Sequence, residues 1–205
     1  MQFKIGKTVF HIGFPFAAVL SLMFLLDESA TAVTALICCI LHETGHLLCL
    51  FAMSAPPDRV ELGAFGMRIE KSAVPLSYKE ETAAALAGPA VNFVLALIFF
   101  VLCRARNADY LSGAVALNLC AGIFNMIPVE PLDGGRALKN ALLIRFDEQR
   151  TEKIIDIVSL VTLIPLTLCG IAVLKNSGYN FTLLLVCVYI AAYLLMKNKK
   201  IKKRS

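Results

Sequence analysis

ALICCILHETGHLLCLF, residues 35–51, is the stretch on which the reading of this chain turns. Two histidines and a glutamate sit inside an apolar run of the kind that forms a helix in hydrocarbon. His42 and His46 are four residues apart, so on a helix they lie on one face, one turn apart, where two imidazoles can hold a single metal ion. Glu43 stands beside them. In this arrangement a metal lowers the pKa of a bound water, and the neighbouring carboxylate takes the proton and hands it to the leaving amine. Each ionisable group buried at bilayer depth costs on the order of 3 kcal/mol unless paired or metal-bound. A metal centre is therefore the reading that offsets the cost.

The rest of the chain has the composition of a membrane protein. Of 205 residues 58% are hydrophobic and 17% charged, with a mean hydropathy of +0.73, far from a soluble domain. The seven cysteines lie in or beside apolar runs and show no disulfide-framework spacing, so they read as small buried hydrophobes. The net charge of +5 comes from residues scattered over loops and ends, without the aromatic interleaving of a nucleic-acid surface.

A bilayer core about 30 Å thick needs about 20 apolar residues per helix. Six stretches meet this: roughly 9–27, 30–55, 81–103, 110–128, 154–174 and 179–196. The first is taken as a retained helix, since it lacks the small-residue cleavage site of a signal peptide. Six spans put both termini on one side, and 17 of the 20 Lys and Arg residues fall on that side; only Arg104, Arg106 and Lys175 oppose them. By the positive-inside rule both termini are expected in the cytoplasm, and a bacterial cell membrane suits the chain. Between the second and third spans, Pro56 and Pro57 end a helix, and RVELGAFGMRIEK (59–71) carries strand-favouring residues around Gly63 and Gly66. The fold class expected is an all-α polytopic membrane protein of about six transmembrane helices, with a short membrane-associated β-hairpin after the second. The whole chain, 1–205, reads as a single membrane-embedded domain with its core in 30–140 and a basic tail at 197–205.

Catalytic zinc takes three protein ligands and keeps one open position, so a donor must come from outside the HETGH segment. Asp133 is the leading candidate. It lies in FNMIPVEPLDGGR (124–136), where Pro128 and Pro131 break the fourth span, Gly134 and Gly135 permit close backbone approach, and Asp133 starts a short helix at about 136–148. Capping and metal binding are compatible. Cys49, one turn beyond His46, and Glu130 are the competing donors. His11 reads as a ligand, a substrate gate or a contact between helices.

These residues resemble the site-2 protease family of intramembrane zinc metalloproteases, through HETGH (42–46), AGPAVN (87–92) and FNMIPVEPLDGGR (124–136). The resemblance covers about residues 30–140 and is closest to the compact bacterial form of the sporulation factor-processing type, with no stretch like a PDZ or CBS domain. It implies Zn2+ held by His42, His46 and Asp133, with Glu43 as the catalytic acid and base. It also implies Asn92 and Asn125 as contacts to substrate backbone, against helix packing as the alternative for Asn92. The segment holding Phe65 and Gly66 resembles the family's substrate-binding hairpin, which would add an unwound stretch of a transmembrane protein substrate as an extra strand. The expected function is regulated proteolysis within the bilayer. The rival class is a membrane zinc transporter or a non-catalytic scaffold, which would not need Glu43 or an open coordination position.

Overall fold

The computed structural model describes residues 2–5, 8–14, 21, 31–63, 66–70 and 74–202. The chain divides into two units, Met1–Phe124 and Asn125–Ser205.

In the first unit, α1 (Thr31–Ala52) carries the two histidines in its C-terminal half. It stops where Ser54 takes a left-handed φ of 56°. The Ser54 amide donates to the Phe51 carbonyl and the Ala55 amide to the Leu50 carbonyl, a Schellman closure that satisfies two terminal carbonyls. Pro56 and Pro57 then prevent continuation. Helix α2 (Tyr78–Arg106) begins at a capping box in which Glu80 N donates to Ser77 Oγ and Ser77 N to Glu80 Oε2. It ends at Asn107, φ 49°. The two helices cross closely at Gly45, where a Cβ would stand 2.8 Å from both the Ala87 carbonyl oxygen and Val91 Cγ2. Helix α3 (Ser112–Asn125) packs on α2 through Gly122 and the Phe93 ring.

The same unit holds a four-stranded sheet in the order β1 (Gln2–Ile5), β2 (Thr8–Ile12), β3 (Arg59–Gly63), β4 (Gly66–Glu70). The β1–β2 and β3–β4 pairs are antiparallel hairpins, and β2 runs parallel to β3. The expected hairpin is present as β3–β4, but it is half of a larger sheet, so the all-α description needs correcting. The first expected span is also displaced at its start, since residues 9–12 are strand; its remainder lies mostly outside the described residues. The reason is that Val9, Phe10 and Ile12 favour strand and that Val9–Ile12 pair the edge of β3 at Arg59–Leu62, whose amides and carbonyls on that side would otherwise lack strand partners. His11 thereby sits on a strand, its Nδ1 3.5 Å from Glu61 Oε1, opposite Glu61 in the register.

The second unit contains α4 (Asp133–Leu143), α5 (Glu148–Ser177) and α6 (Thr182–Lys202). Gly178, φ 77°, closes α5 and lets the chain turn into α6. Val129 is fully buried against Ile190 and Leu194 of α6, with Leu163 and Leu166 of α5 packed beside them. This anchors the loop ahead of Asp133. The Glu130–Pro131 bond in that loop is cis. Gly134 and Gly135 admit the loop against the first turn of α4, because a Cβ at Gly135 would stand 2.6 Å from the Glu130 amide nitrogen. Glu130 is held from two sides, its carboxylate 3.2 Å from Lys139 Nζ and 2.5 Å from Lys197 Nζ. Glu152 and Asp156 complete the cluster on the two lysines. Burial alone would lower the Lys139 pKa, yet the Glu152 and Glu130 carboxylates hold it above its ordinary value.

Helices α1, α2 and α5 are long and apolar enough to cross a membrane, and α6 has a shorter apolar stretch, Thr182–Lys197. Large apolar side chains such as Val94, Leu97, Leu160 and Leu168 face outward, as lipid contact requires. This is a mostly helical, multi-pass membrane protein. At 14 residues α3 is shorter than the span expected at 110–128, because the turn leading to Pro128 ends it at Asn125.

Candidate metal centre

His42 and His46 project from α1 toward α2 and are both buried. Each ring has its Nδ1 on an oxygen of α2: His42 Nδ1 on Asn92 Oδ1, and His46 Nδ1 on the Ala84 carbonyl at 2.7 Å. A backbone carbonyl only accepts, so His46 Nδ1 must carry the proton; the orientation of the Asn92 amide, derived below, requires the same of His42. In the neutral rings both Nε2 atoms then hold lone pairs, and they stand 3.2 Å apart. Two lone pairs at that distance repel unless a proton or a metal cation lies between them. Two nitrogens bound at about 2.0–2.1 Å to a tetrahedral zinc ion stand about 3.4 Å apart, so the pair already has the spacing of two ligands of one ion.

Gly88 makes room for this. A Cβ there would stand 2.7 Å from His42 Nε2 and His46 Cε1 and closer still to His46 Nε2. The α2 backbone thus forms the floor under both rings, in the helical turn where Pro89 removes one amide from the ladder.

Glu43, on the next position of α1, is half-buried. Asp133 opens α4, buried, with its Oδ1 3.8 Å from Arg136 Nη1. Asn125 is the half-buried last residue of α3. Among the described residues, neither Cys49 nor Glu130 belongs to a metal-holding group of His, Cys, Asp and Glu side chains. Glu130 is instead occupied by its two lysines. Gly66 opens β4 opposite Gly63, and Phe65 lies outside the described residues.

The model of peptidase family M50 matches residues 102–166, which include the Asp133 loop but not the histidines. Over 157 residues, 74% of this chain, the sequence is 26% identical to a zinc metalloprotease of Methanocaldococcus jannaschii. Over 115 residues, 54% of the chain, it is 30% identical to a putative zinc metalloprotease of Synechocystis. The matched parts span 44% and 30% of those two relatives, less than half of either. A site-2 protease structure from M. jannaschii superposes over 96% of this chain and 94% of its own with a TM-score of 0.67, at 21% identity. The chain resembles the site-2 proteases in sequence and shares their fold.

Within that fold the structure places Asn92 among contacts between helices. Expected either at the substrate or in helix packing, it is fully buried, with Oδ1 on His42 and Nδ2 on Asn118 and Cys38. An amide with both ends engaged behind a histidine orients that ring and has no atom to offer a peptide. Sequence reasoning missed Asn118, although an amide within an apolar run is itself a signal. It also missed why the third-span motif needs Gly88.

Proposed function

We propose that this protein is an intramembrane zinc metalloprotease, cutting peptide bonds of membrane-spanning or membrane-associated proteins in regulated proteolysis. The observation that carries the reading is the His42–His46 pair, each with its Nδ1 against an oxygen of α2 and the two facing each other through Nε2 at zinc-ligand spacing. His42 and His46 would hold the ion with Asp133 as third ligand, its Oδ1 lying 3.8 Å from Arg136 Nη1. The two units then act as one catalytic domain. Bound there, zinc would supply Lewis-acid activation of water and of the scissile carbonyl.

The chain's own residues do the rest. Glu43 takes a proton from the attacking water and returns it to the leaving nitrogen, two transfers by one carboxylate. Asn92 and the Ala84 carbonyl keep both imidazoles aimed. A substrate helix must unwind before its carbonyls can be attacked, since its amides are otherwise spent on its own ladder. Strand β4, at the sheet edge and opening at Gly66, offers backbone groups for that unwound segment, with Phe65 and Asn125 as further contacts. Six spans with both termini in the cytoplasm, in a bacterial cell membrane, is the topology we adopt, from the distribution of Lys and Arg.

The test is cleavage of single-span membrane proteins by detergent-purified protein, wild type against Glu43→Gln, with zinc measured in both. Wild type should cut, and the variant should hold equal zinc and lose about 10³-fold or more in rate. Equal zinc with no cleavage by either across the panel would favour a scaffold or transporter.

A further inference from the structure

Behind His42 lies a chain of amides whose direction is fixed at its far end. Asn118, on α3 and 2% exposed, places its Nδ2 2.9 Å from the Ala114 carbonyl oxygen. That oxygen can only accept, so the Asn118 amide is oriented with Nδ2 toward it and Oδ1 toward α2. Asn118 Oδ1 then accepts from Asn92 Nδ2 at 3.1 Å and from Cys38 Sγ at 3.3 Å. Asn92 Nδ2 thereby becomes the donor, also reaching Cys38 Sγ at 3.2 Å, and Asn92 Oδ1 is left to face His42 Nδ1. Reversing either amide would set oxygen against oxygen or N–H against N–H at a buried link, at about 1–3 kcal/mol each.

We propose that Asn118 is a positioning residue for the metal centre: by locking the Asn92 amide it fixes the tautomer and aim of the His42 ring, three hydrogen bonds from the Ala114 carbonyl. Groups that orient a metal-bound histidine in this way typically alter metal affinity 10- to 100-fold when removed. The inference rests on the zinc reading, and α3 becomes a third helix taking part in the site through a residue that touches neither metal nor substrate.

The experiment is the rate at which zinc-loaded, full-length protein surrenders its metal to a chelator. Asn118→Leu should lose zinc about tenfold faster or more. Asn118→Asp, which keeps the acceptor and as a buried neutral acid still donates to Ala114, should stay within about threefold of wild type. In an Asn92→Ala background, Asn118→Leu should add nothing, because the residue acts only through Asn92. A general packing role would instead lower the melting temperature and speed zinc loss by the same factor in both backgrounds, and that result overturns the proposal, as does wild-type retention by Asn118→Leu. If Asn118→Leu does not fold, Asn118→Ser, which is too short to reach Asn92, takes its place with the same expectation. A wild-type chain that retains no zinc overturns the metal assignment itself, before any variant is compared.

Discussion

Gly88 is the residue on which the metal centre is most exposed to a one-carbon change. Its missing Cβ is the space occupied by two imidazole rings, so Gly88→Ala must displace His42 and His46 or push α1 off α2. Zinc content is expected to fall at least about tenfold, with α-helix content by circular dichroism unchanged; full zinc occupancy in that variant would mean that the rings do not lie over residue 88. The histidines and Glu43 are legible from their spacing alone, because a helix converts a separation of four into a shared face. Gly88 was legible only as a small residue in a motif. Its reason requires two helices to be set against each other, and neither helix contains that information.

At the scale of elements, the loop before Asp133 is held by charge as well as by packing. Lys197, 14% exposed in its side chain, reaches back from α6 to Glu130, Glu152 and Asp156. Replacing it by Met leaves three carboxylates with only Lys139 among them. The expected loss is about 1–3 kcal/mol after discounting for the partly exposed partners, read as a lower melting temperature together with faster zinc loss, since the same loop leads into Asp133, the proposed third ligand. A lower melting temperature with unchanged zinc loss would uncouple this cluster from the metal centre. From sequence Lys197 belongs to a basic tail and reads as a topology anchor, because 67 residues separate it from Glu130. The N-terminal strands were misread for a related reason: TVFHI is apolar enough to begin a transmembrane run, and only the unpaired edge of β3 makes it a strand.

Across the whole molecule, the distribution of Lys and Arg predicts an orientation that a reporter can check. Alkaline phosphatase, active only outside the cytoplasm, should be active when fused after residue 179 and silent when fused after residue 205; the reverse pattern would invert the topology and move the cleavage point to the other face. What the amino-acid sequence determined by itself is the membrane setting, the histidine pair with its glutamate, and the resemblance to the site-2 proteases, because composition and helical spacing are local properties that survive without a fold. What only the tertiary structure decided is that two Nε2 lone pairs meet at zinc-ligand spacing, that Asn92 serves His42 from behind, and that Asn118 aligns Asn92. Hydrogen-bond direction propagates through contacts between helices, and no spacing along one chain can specify it.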